Sequence, residues 1–209
     1  MIKIQSLTHQ YNQVPKLQFP DWEIKDAEQW LLLGSSGSGK STLLNIIAGL
    51  LKPQNGEVIL DGTSVYQLSS RKMDQFRGQK IGIVFQKPHF IKSLNIYDNI
   101  AIASSLAGLP IDAKRISLLL ETLGLAGKAK KYAEELSQGQ LQRASIARAL
   151  VNHPSVLIAD EPTSSLDDEN AENVISLLTE QAASSHASLI VATHDNRVRN
   201  RLSKEYLLS

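Results

Sequence analysis

A glycine-rich stretch carries the residue types and the spacing that bind phosphate. Residues 34–42 fit the pattern G-x-x-x-x-G-K-[ST], whose glycines let backbone amides fold around phosphate oxygens. Lys40 is expected to reach the β- and γ-phosphates of a nucleotide, and Ser41 to supply a hydroxyl ligand for Mg²⁺. The predicted nucleotide-binding residues of this stretch are Gly34, Ser35, Ser36, Gly37, Ser38, Gly39, Lys40, Ser41 and Thr42.

The segments on either side of this stretch are those that a phosphate-binding loop requires. The apolar run 30–33 predicts a buried strand, and residues 43–50 predict an amphipathic helix that begins near Lys40. Such a helix directs the positive end of its dipole at the bound anion. Strand, loop and helix together indicate nucleotide binding without distinguishing among the classes of NTPase.

Two acidic residues follow a second apolar run, 155–159, which predicts a strand of the parallel-sheet kind. Ligands bind outside the carboxyl ends of parallel strands, so Asp160 is expected to hold the Mg²⁺ that bridges the phosphates, usually through water. Glu161 cannot point the same way as Asp160 if both residues remain extended. A separate role is therefore favoured, that of orienting or deprotonating the attacking water. The alternative is a pair of surface acids at a strand end.

The rest of the chain must place these groups at one edge of a sheet. Alternating apolar residues at 2–7 and 17–24 predict a small antiparallel sheet, with Tyr11 on the loop between its strands. Further short strands are predicted at residues 57–60, 81–85 and 189–192.

Helical patterns dominate the middle of the chain. Three helices are predicted between residues 93 and 150, with Gly124 ending the second and Ser137 as the N-cap of the third. Another helix is predicted at 168–182, whereas residues 63–79 are polar and carry no clear pattern. The order predicts an α/β core interrupted by a helical insertion.

Composition limits the function classes. The 209 residues are 42% hydrophobic, enough for one α/β domain or a core with a subdomain. A formal charge of +1 gives no reason to expect an extended nucleic-acid surface, and the lack of cysteine excludes disulfides and thiolate metal sites. No apolar run approaches the roughly 20 residues that span a bilayer, and residues 1–20 lack the layout of a secretory signal. A membrane role is therefore expected to come through a partner.

Further motifs, in order along the chain, resemble those of ATP-binding cassette (ABC) ATPases. Residues 136–140 resemble the LSGGQ signature, and 142–150 resemble the QR-x₃-ARAL helix that follows it. Residues 157–163 are similar to the Walker B segment, and Ser165-Leu166-Asp167 to the D-loop. Three single residues also match the family. Gln86 resembles the Q-loop glutamine, and Tyr11 resembles the A-loop aromatic residue. His194, in the segment Ala192-Thr193-His194-Asp195, resembles the switch histidine.

The resemblance covers essentially the whole chain and implies its fold. It implies an α/β protein with a P-loop NTPase core built on a RecA-like parallel sheet. It adds an N-terminal antiparallel β subdomain and a helical subdomain inserted at about residues 87–145, within one ABC ATPase domain at 1–209. For the site, it implies that Glu161 and His194 act in ATP hydrolysis and that Tyr11 stacks on adenine. Gln86 is implied to contact Mg²⁺ or water.

The resemblance also implies a dimer that sandwiches two ATP molecules head to tail. Ser137 and the amides that follow it open a helix and so form a second anion-binding end. The residues implied to cap the γ-phosphate bound by the other chain are Ser137, Gln138, Gly139 and Gln140. Gln138 stands where the signature has its first glycine, so its side chain would either crowd that phosphate or donate a hydrogen bond to it. Asp167 is implied to lie at the dimer seam, although it could be only an N-cap.

Three functions follow from this resemblance. The first is an ATPase subunit of a membrane transporter, cytoplasmic and peripheral on the inner membrane, which pairs with separate transmembrane permease subunits and forms a homodimer or pairs with a related cassette. The family groove for the permease would be lined from residues 86–105, with Phe90, Ile91 and Leu94 as candidate contacts.

The second function is a non-transport relay through a membrane partner, as in the cell-division and lipoprotein-release relatives. The compact length and the stretch 34–62 resemble that branch and the macrolide exporters. The third is a soluble protein of DNA repair or translation, which the short gap between Gln86 and Ser137 disfavours.

Overall fold

The computed structural model describes residues 1–12, 15–164, 166–194, 199 and 201–208. The strands are β1 (Ile2–His9), β2 (Leu17–Gln18), β3 (Trp22–Ile24), β4 (Gln29–Gly34), β5 (Asn55–Leu60), β6 (Thr63–Ser64), β7 (Ile81–Val84), β8 (Val156–Asp160), β9 (Ser188–Ala192) and β10 (Lys204–Leu208). The α-helices are α1 (Lys40–Ile47), α2 (Ser70–Lys80), α3 (Ile96–Leu106), α4 (Ala113–Thr122), α5 (Gln138–Leu150) and α6 (Asp168–Ser184).

A parallel sheet positions the predicted site. Its five strands run in the order β10-β4-β9-β8-β7, and every neighbouring pair is parallel. All five carboxyl ends therefore meet at one edge, and the phosphate-binding loop, Asp160 and His194 each follow or end one of these strands. The predicted α/β fold class, with its parallel P-loop NTPase core, is confirmed.

Side chains alternate between the two faces of this sheet, as the pleat requires. On one face, Leu31 of β4 and Leu157 of β8 join a core shared with α3, α4, α5 and α6. On the other face, Leu32 and Ile158 join a core shared with α1 and the second sheet. Both faces are thus covered, which explains the continuously apolar runs in the central strands.

The second sheet is antiparallel and extends beyond the predicted N-terminal strands. In it, β1 pairs with β2, with β3 and, over most of its length, with β5. The single predicted strand at 17–24 is two short strands, because residues 19–21 around Pro20 interrupt it. The central partner β5 comes after α1, and the turn at Asp61 and Gly62, both with positive φ, joins it to β6.

The helices follow the predicted apolar faces. The predicted buried positions of α6 are all buried, and they are Ala171, Val174, Ile175, Leu178 and Ala182. Gly124, with φ 66°, follows α4 at the predicted stop.

Asn99 of α3 is fully buried, and its side chain makes four hydrogen bonds to backbone groups of residues 91–95. The segment after β7 is therefore attached to α3.

Three of these strands and helices were not predicted, namely the two-residue strand β6, helix α2 and strand β10. Helix α2 contains no buried residue, so the apolar periodicity that reveals other helices is missing there. Strand β10 pairs in parallel with β4 at the sheet edge. The ring of its Tyr206 stacks on Trp22 with centroids 4.1 Å apart, and the Tyr206 hydroxyl donates to the Pro20 carbonyl at 2.5 Å. This aromatic contact joins the two sheets.

Glu28 fastens β10 to β4 and provides a pH-dependent test of the fold. Its carboxylate accepts hydrogen bonds from the Lys204 ammonium, from Trp30 Nε1 at 2.9 Å and from the Lys25 amide at 3.0 Å. These bonds, with that from Lys204 the largest cause, lower the pKa of Glu28 from 4.5 to about 2. Because the pKa is lower in the folded state, the carboxylate stabilises the fold above pH 4.5 and loses that contribution as the pH falls towards 2.

Glu28→Gln is therefore expected to lower the free energy of unfolding at pH 7 by about 1 kcal/mol, a value discounted for solvent screening. The difference from the wild type should shrink as the pH is lowered from 4.5 towards 2. Urea unfolding at several pH values measures both quantities, with Glu23→Gln on an exposed position as the control. An equal difference at pH 7 and pH 3 would contradict this assignment.

Candidate functional site

A cavity of about 780 Å³ lies at the carboxyl edge of the parallel sheet and brings most of the predicted site residues together. The predicted residues that line it are Tyr11, Gly34, Ser35, Ser36, Gly37, Gly39, Lys40, Ser41, Thr42, Gln86, Asp160, Glu161 and His194. Ser38 instead lines a neighbouring cleft between the loop and β1. Of the predicted set, the residues that line neither space are Ser137, Gln138, Gly139, Gln140 and Asp167.

Different structural constraints require glycine at different positions of the loop. Gly37 and Gly39 adopt φ values of 83° and 97°, which disfavour any residue with a Cβ. A Cβ at Gly34 would lie 2.9 Å from the Leu208 carbonyl, so the close approach of β10 requires glycine there. The Lys40 ammonium donates to the carbonyls of Gly34 at 2.8 Å and Ser35 at 3.1 Å. The lysine is thereby held across the loop at the start of α1.

Asp160 lies half-buried beside the loop, and Ser41 contacts it. Burial raises the pKa of Asp160 and is the largest influence on it, while a hydrogen bond from Ser41 acts in the opposite direction. Within the described residues, the buried Oδ1 atom of Asp160 has no hydrogen-bond partner. A carboxylate oxygen that is buried without a donor suits a cation, because a cation would compensate the cost of its burial.

Glu161 turns away from Asp160 through a local change of the backbone. Its φ is 47°, and its amide donates to the Ala192 carbonyl at 2.8 Å. The condition in the sequence argument, that both residues remain extended, is therefore not met at Glu161, although the separation of the two side chains is found. The Glu161 carboxylate lies against the end of β9, with Oε1 2.9 Å from His194 Nδ1 and Oε2 accepting from Thr193 Oγ1 at 3.1 Å.

Tyr11 lies on the rim of the cavity. The residue is 44% exposed, and its hydroxyl is 3.3 Å from Thr42 Oγ1 in the first turn of α1. His9 packs edge-on against it, with ring centroids 4.6 Å apart. An exposed aromatic face held beside the phosphate-binding loop can stack on a planar base.

The signature stretch forms a helix start away from the main cavity. As predicted, Ser137 caps α5: its hydroxyl accepts from the Gln140 amide at 3.3 Å, and Gln140 Oε1 accepts from the Ser137 amide at 3.1 Å. Gln138 is exposed and lines a smaller space of about 230 Å³ together with Gln86. The side chain that replaces the first glycine of the signature is therefore accessible to solvent at the start of α5.

Asn170 connects the signature to the D-loop, a link that the sequence did not reveal. Asp167 is the N-cap of α6 and accepts hydrogen bonds from the amide and the side chain of Asn170. A Cβ at the buried Gly139 would lie 2.8 Å from Asn170 Oδ1. Gly139 thus leaves room for Asn170. Ser165 and Asp195, which belong to the motifs quoted above, lie outside the described residues.

A second groove, of about 630 Å³, lies on the side of the parallel sheet between α2, β7 and α3. Its apolar lining includes Leu50, Phe85 and Leu106, of which Leu106 is 76% exposed. Asn152 holds its walls together, because its amide donates to the carbonyls of Gly78 at 2.8 Å and Ala103 at 3.1 Å.

The candidate contacts for a membrane partner named from the sequence are Phe90, Ile91 and Leu94. Phe90 packs against the core under the Arg148 guanidinium, 4.7 Å from the ring centroid. Of Phe90, Ile91 and Leu94, none lines the groove around Leu106. Among the described helices, none is long and apolar enough to cross a membrane.

The fold and the site define a phosphate-loop nucleoside triphosphatase (NTPase), and comparisons with known proteins give its family. The ABC transporter family model matches residues 17–164. The chain is 36% identical over 208 residues to the ABC transporter ATP-binding protein YtrE of Bacillus subtilis, a match covering 95% of this chain and 90% of that one. It is 41% identical over 177 residues to the lipoprotein-releasing system ATP-binding protein LolD of Buchnera aphidicola, covering 84% and 77% of the two chains.

A solved structure agrees over the whole chain. The ATP-binding cassette MJ0796, as a dimer in a post-hydrolysis state bound to ADP and phosphate, superposes with a TM-score of 0.89. It is 32% identical, and the match covers all of this chain and 94% of that one. This protein therefore belongs to the ABC transporter family, whose cassettes bind and hydrolyse ATP. The predicted family and enzyme class are confirmed.

Proposed function

We propose that this chain is the ATPase subunit of an ABC transporter, closing as a dimer around two Mg-ATP and driving separate membrane-spanning subunits. The observation that carries the proposal is the single cavity that unites the phosphate loop, Asp160, Glu161 and His194. The relatives named as ATP-binding proteins of transport and lipoprotein-release systems support a membrane partner. We place the protein on the cytoplasmic face of the inner membrane and treat residues 1–209 as one cassette, with its helical subdomain at about 87–145.

Within the cavity, each group has a proposed role. Lys40 and the loop amides bind the β- and γ-phosphates, and Tyr11 stacks on adenine. Ser41, Asp160 and Gln86 would hold Mg²⁺, which neutralises phosphate charge when bound; the unpartnered Oδ1 atom of Asp160 supports this donor set. Glu161 accepts a proton from the attacking water. His194 assists hydrolysis from beside it, with Nδ1 2.9 Å from Oε1 of the Glu161 carboxylate.

The dimer follows from the separation of the two anion-binding helix starts. The residues of the signature do not line the cavity of their own chain, so we propose that they reach the γ-phosphate held by a second copy. The dimeric cassette MJ0796 supports this arrangement. The nucleotide then favours the closed state because it contacts both chains only there.

The permease is proposed to dock in the groove around Leu106. The groove exposes apolar side chains between walls that Asn152 fixes, which suits a short amphipathic helix of a partner. Leu106 and Leu50 offer most of the exposed apolar surface there, at 76% and 47% exposure. Burying one leucine side chain contributes about 1.5–3 kcal/mol, which corresponds to an affinity change of roughly 10- to 100-fold.

Leu106→Glu is expected to reduce recovery of membrane proteins with this chain at least about 10-fold, since it places a charge in the apolar contact. Leu118→Glu is the matched control, because Leu118 is 55% exposed on α4 and lies outside the groove. Recovery from detergent-solubilised membranes, with and without Mg-ATP, measures the effect, and ATP binding by both variants should match the wild type. If the two variants behave alike, the groove is not the docking site. If the wild type recovers no membrane protein under any nucleotide condition, the transporter assignment fails.

A further inference from the structure

The two oxygens of the Glu161 carboxylate are held by consecutive residues that differ strongly in exposure. Oε1 lies 2.9 Å from Nδ1 of His194, whose side chain is 76% exposed. Oε2 accepts a hydrogen bond at 3.1 Å from the hydroxyl of Thr193, which is fully buried. The carboxylate thus has one contact at the solvent edge and one within the core.

The buried contact belongs to a rigid part of the molecule. Thr193 directly follows β9, whose five residues are all buried. The Glu161 amide donates to the carbonyl of Ala192, the residue before Thr193, at 2.8 Å, so backbone and side chain of Glu161 are both tied to the end of this strand. A β-branched side chain in such a position has little rotamer freedom. The hydroxyl of Thr193 is therefore a fixed donor.

We propose that Thr193 is a positioning residue for hydrolysis: it anchors Oε2 of Glu161 and so presents Oε1 to the attacking water. The His194 contact is then the exchangeable one, which can yield to water or nucleotide without releasing the carboxylate. Thr193 itself transfers no proton and contacts no substrate. The inference rests on the proposed role of Glu161 as the proton acceptor.

Thr193→Val keeps the shape of the side chain and removes only the donor. It is expected to lower kcat about 10- to 100-fold, the loss that accompanies a displaced reacting group, with ATP affinity within about twofold of the wild type. Thr193→Ser restores the hydroxyl and should recover most of kcat. Steady-state phosphate release, ATP titration and thermal unfolding are measured on all three proteins.

A double variant separates this inference from the proposed function. In a Glu161→Gln background, Thr193→Val should cause no further loss, because the two residues act as one unit. If Glu161→Gln alone leaves hydrolysis intact, the proposed role of Glu161 as the proton acceptor fails, and the inference that rests on it fails with it. If Glu161→Gln abolishes hydrolysis while Thr193→Val keeps kcat within twofold, or if the Val and Ser variants lose it equally, the positioning role of Thr193 is overturned.

Discussion

Glu161→Gln is expected to slow ATP hydrolysis at least about 100-fold, because general-base catalysis contributes on the order of 10²- to 10⁴-fold and an amide cannot accept the proton. The substitution preserves the shape of the side chain and leaves an oxygen able to accept from Thr193, so the cavity should keep its form. ATP affinity is expected to stay within a few-fold of the wild type. Phosphate release under saturating Mg-ATP measures the loss, with Glu121→Gln on the exposed face of α4 as the control.

The same variant tests the dimer. A protein that binds ATP without hydrolysing it should accumulate in the closed state, since the γ-phosphate is not removed. Size-exclusion chromatography with light scattering should therefore show a dimer with Mg-ATP and a monomer without it. Hydrolysis at the wild-type rate would contradict the role of Glu161. Loss of hydrolysis without a dimer would mean that Gln138 weakens pairing between identical chains, or that the signature does not act across the interface.

Lys40→Met is expected to weaken ATP binding at least about 100-fold. Hydrogen bonds to charged groups contribute about 1.5–3 kcal/mol each, and Lys40 is proposed to contact two phosphates. Methionine keeps the length of the side chain and removes the charge together with the bonds to Gly34 and Ser35. Isothermal titration with a non-hydrolysable ATP analogue measures the change.

Lys52→Met is the matched control for this loss, because Lys52 is exposed and does not line the cavity. A fluorescence melt should show that both variants are folded, since Trp22 and Trp30 lie at the contact between the sheets, away from the substitutions. If Lys40→Met changes the affinity less than threefold, the loop does not bind the nucleotide through this lysine.

The groove around Leu106 and the contact between Glu28 and Lys204 show what the spacing of motifs cannot predict. The resemblance implied that the groove for the permease is lined from residues 86–105, with Phe90, Ile91 and Leu94 as candidate contacts. The groove around Leu106 is lined also by Leu50, from a distant part of the chain. Likewise, Glu28 and Lys204 meet only because β10 returns to the edge of the sheet. Contacts between such distant segments leave no local pattern.

By itself, the sequence determined the class of the protein, most of its strands and helices, and the residues of its loop, because these depend on local spacing. Three features depend only on a few neighbouring residues and can therefore be predicted from local sequence. They are the glycine loop between a strand and a helix, the apolar strand that ends in two acids, and the capped signature helix. Tertiary structure alone decided where Glu161 points. Its positive φ, the amide bond to Ala192 and the buried hydroxyl of Thr193 arise only when β8 and β9 lie side by side, since the residues concerned are some thirty positions apart.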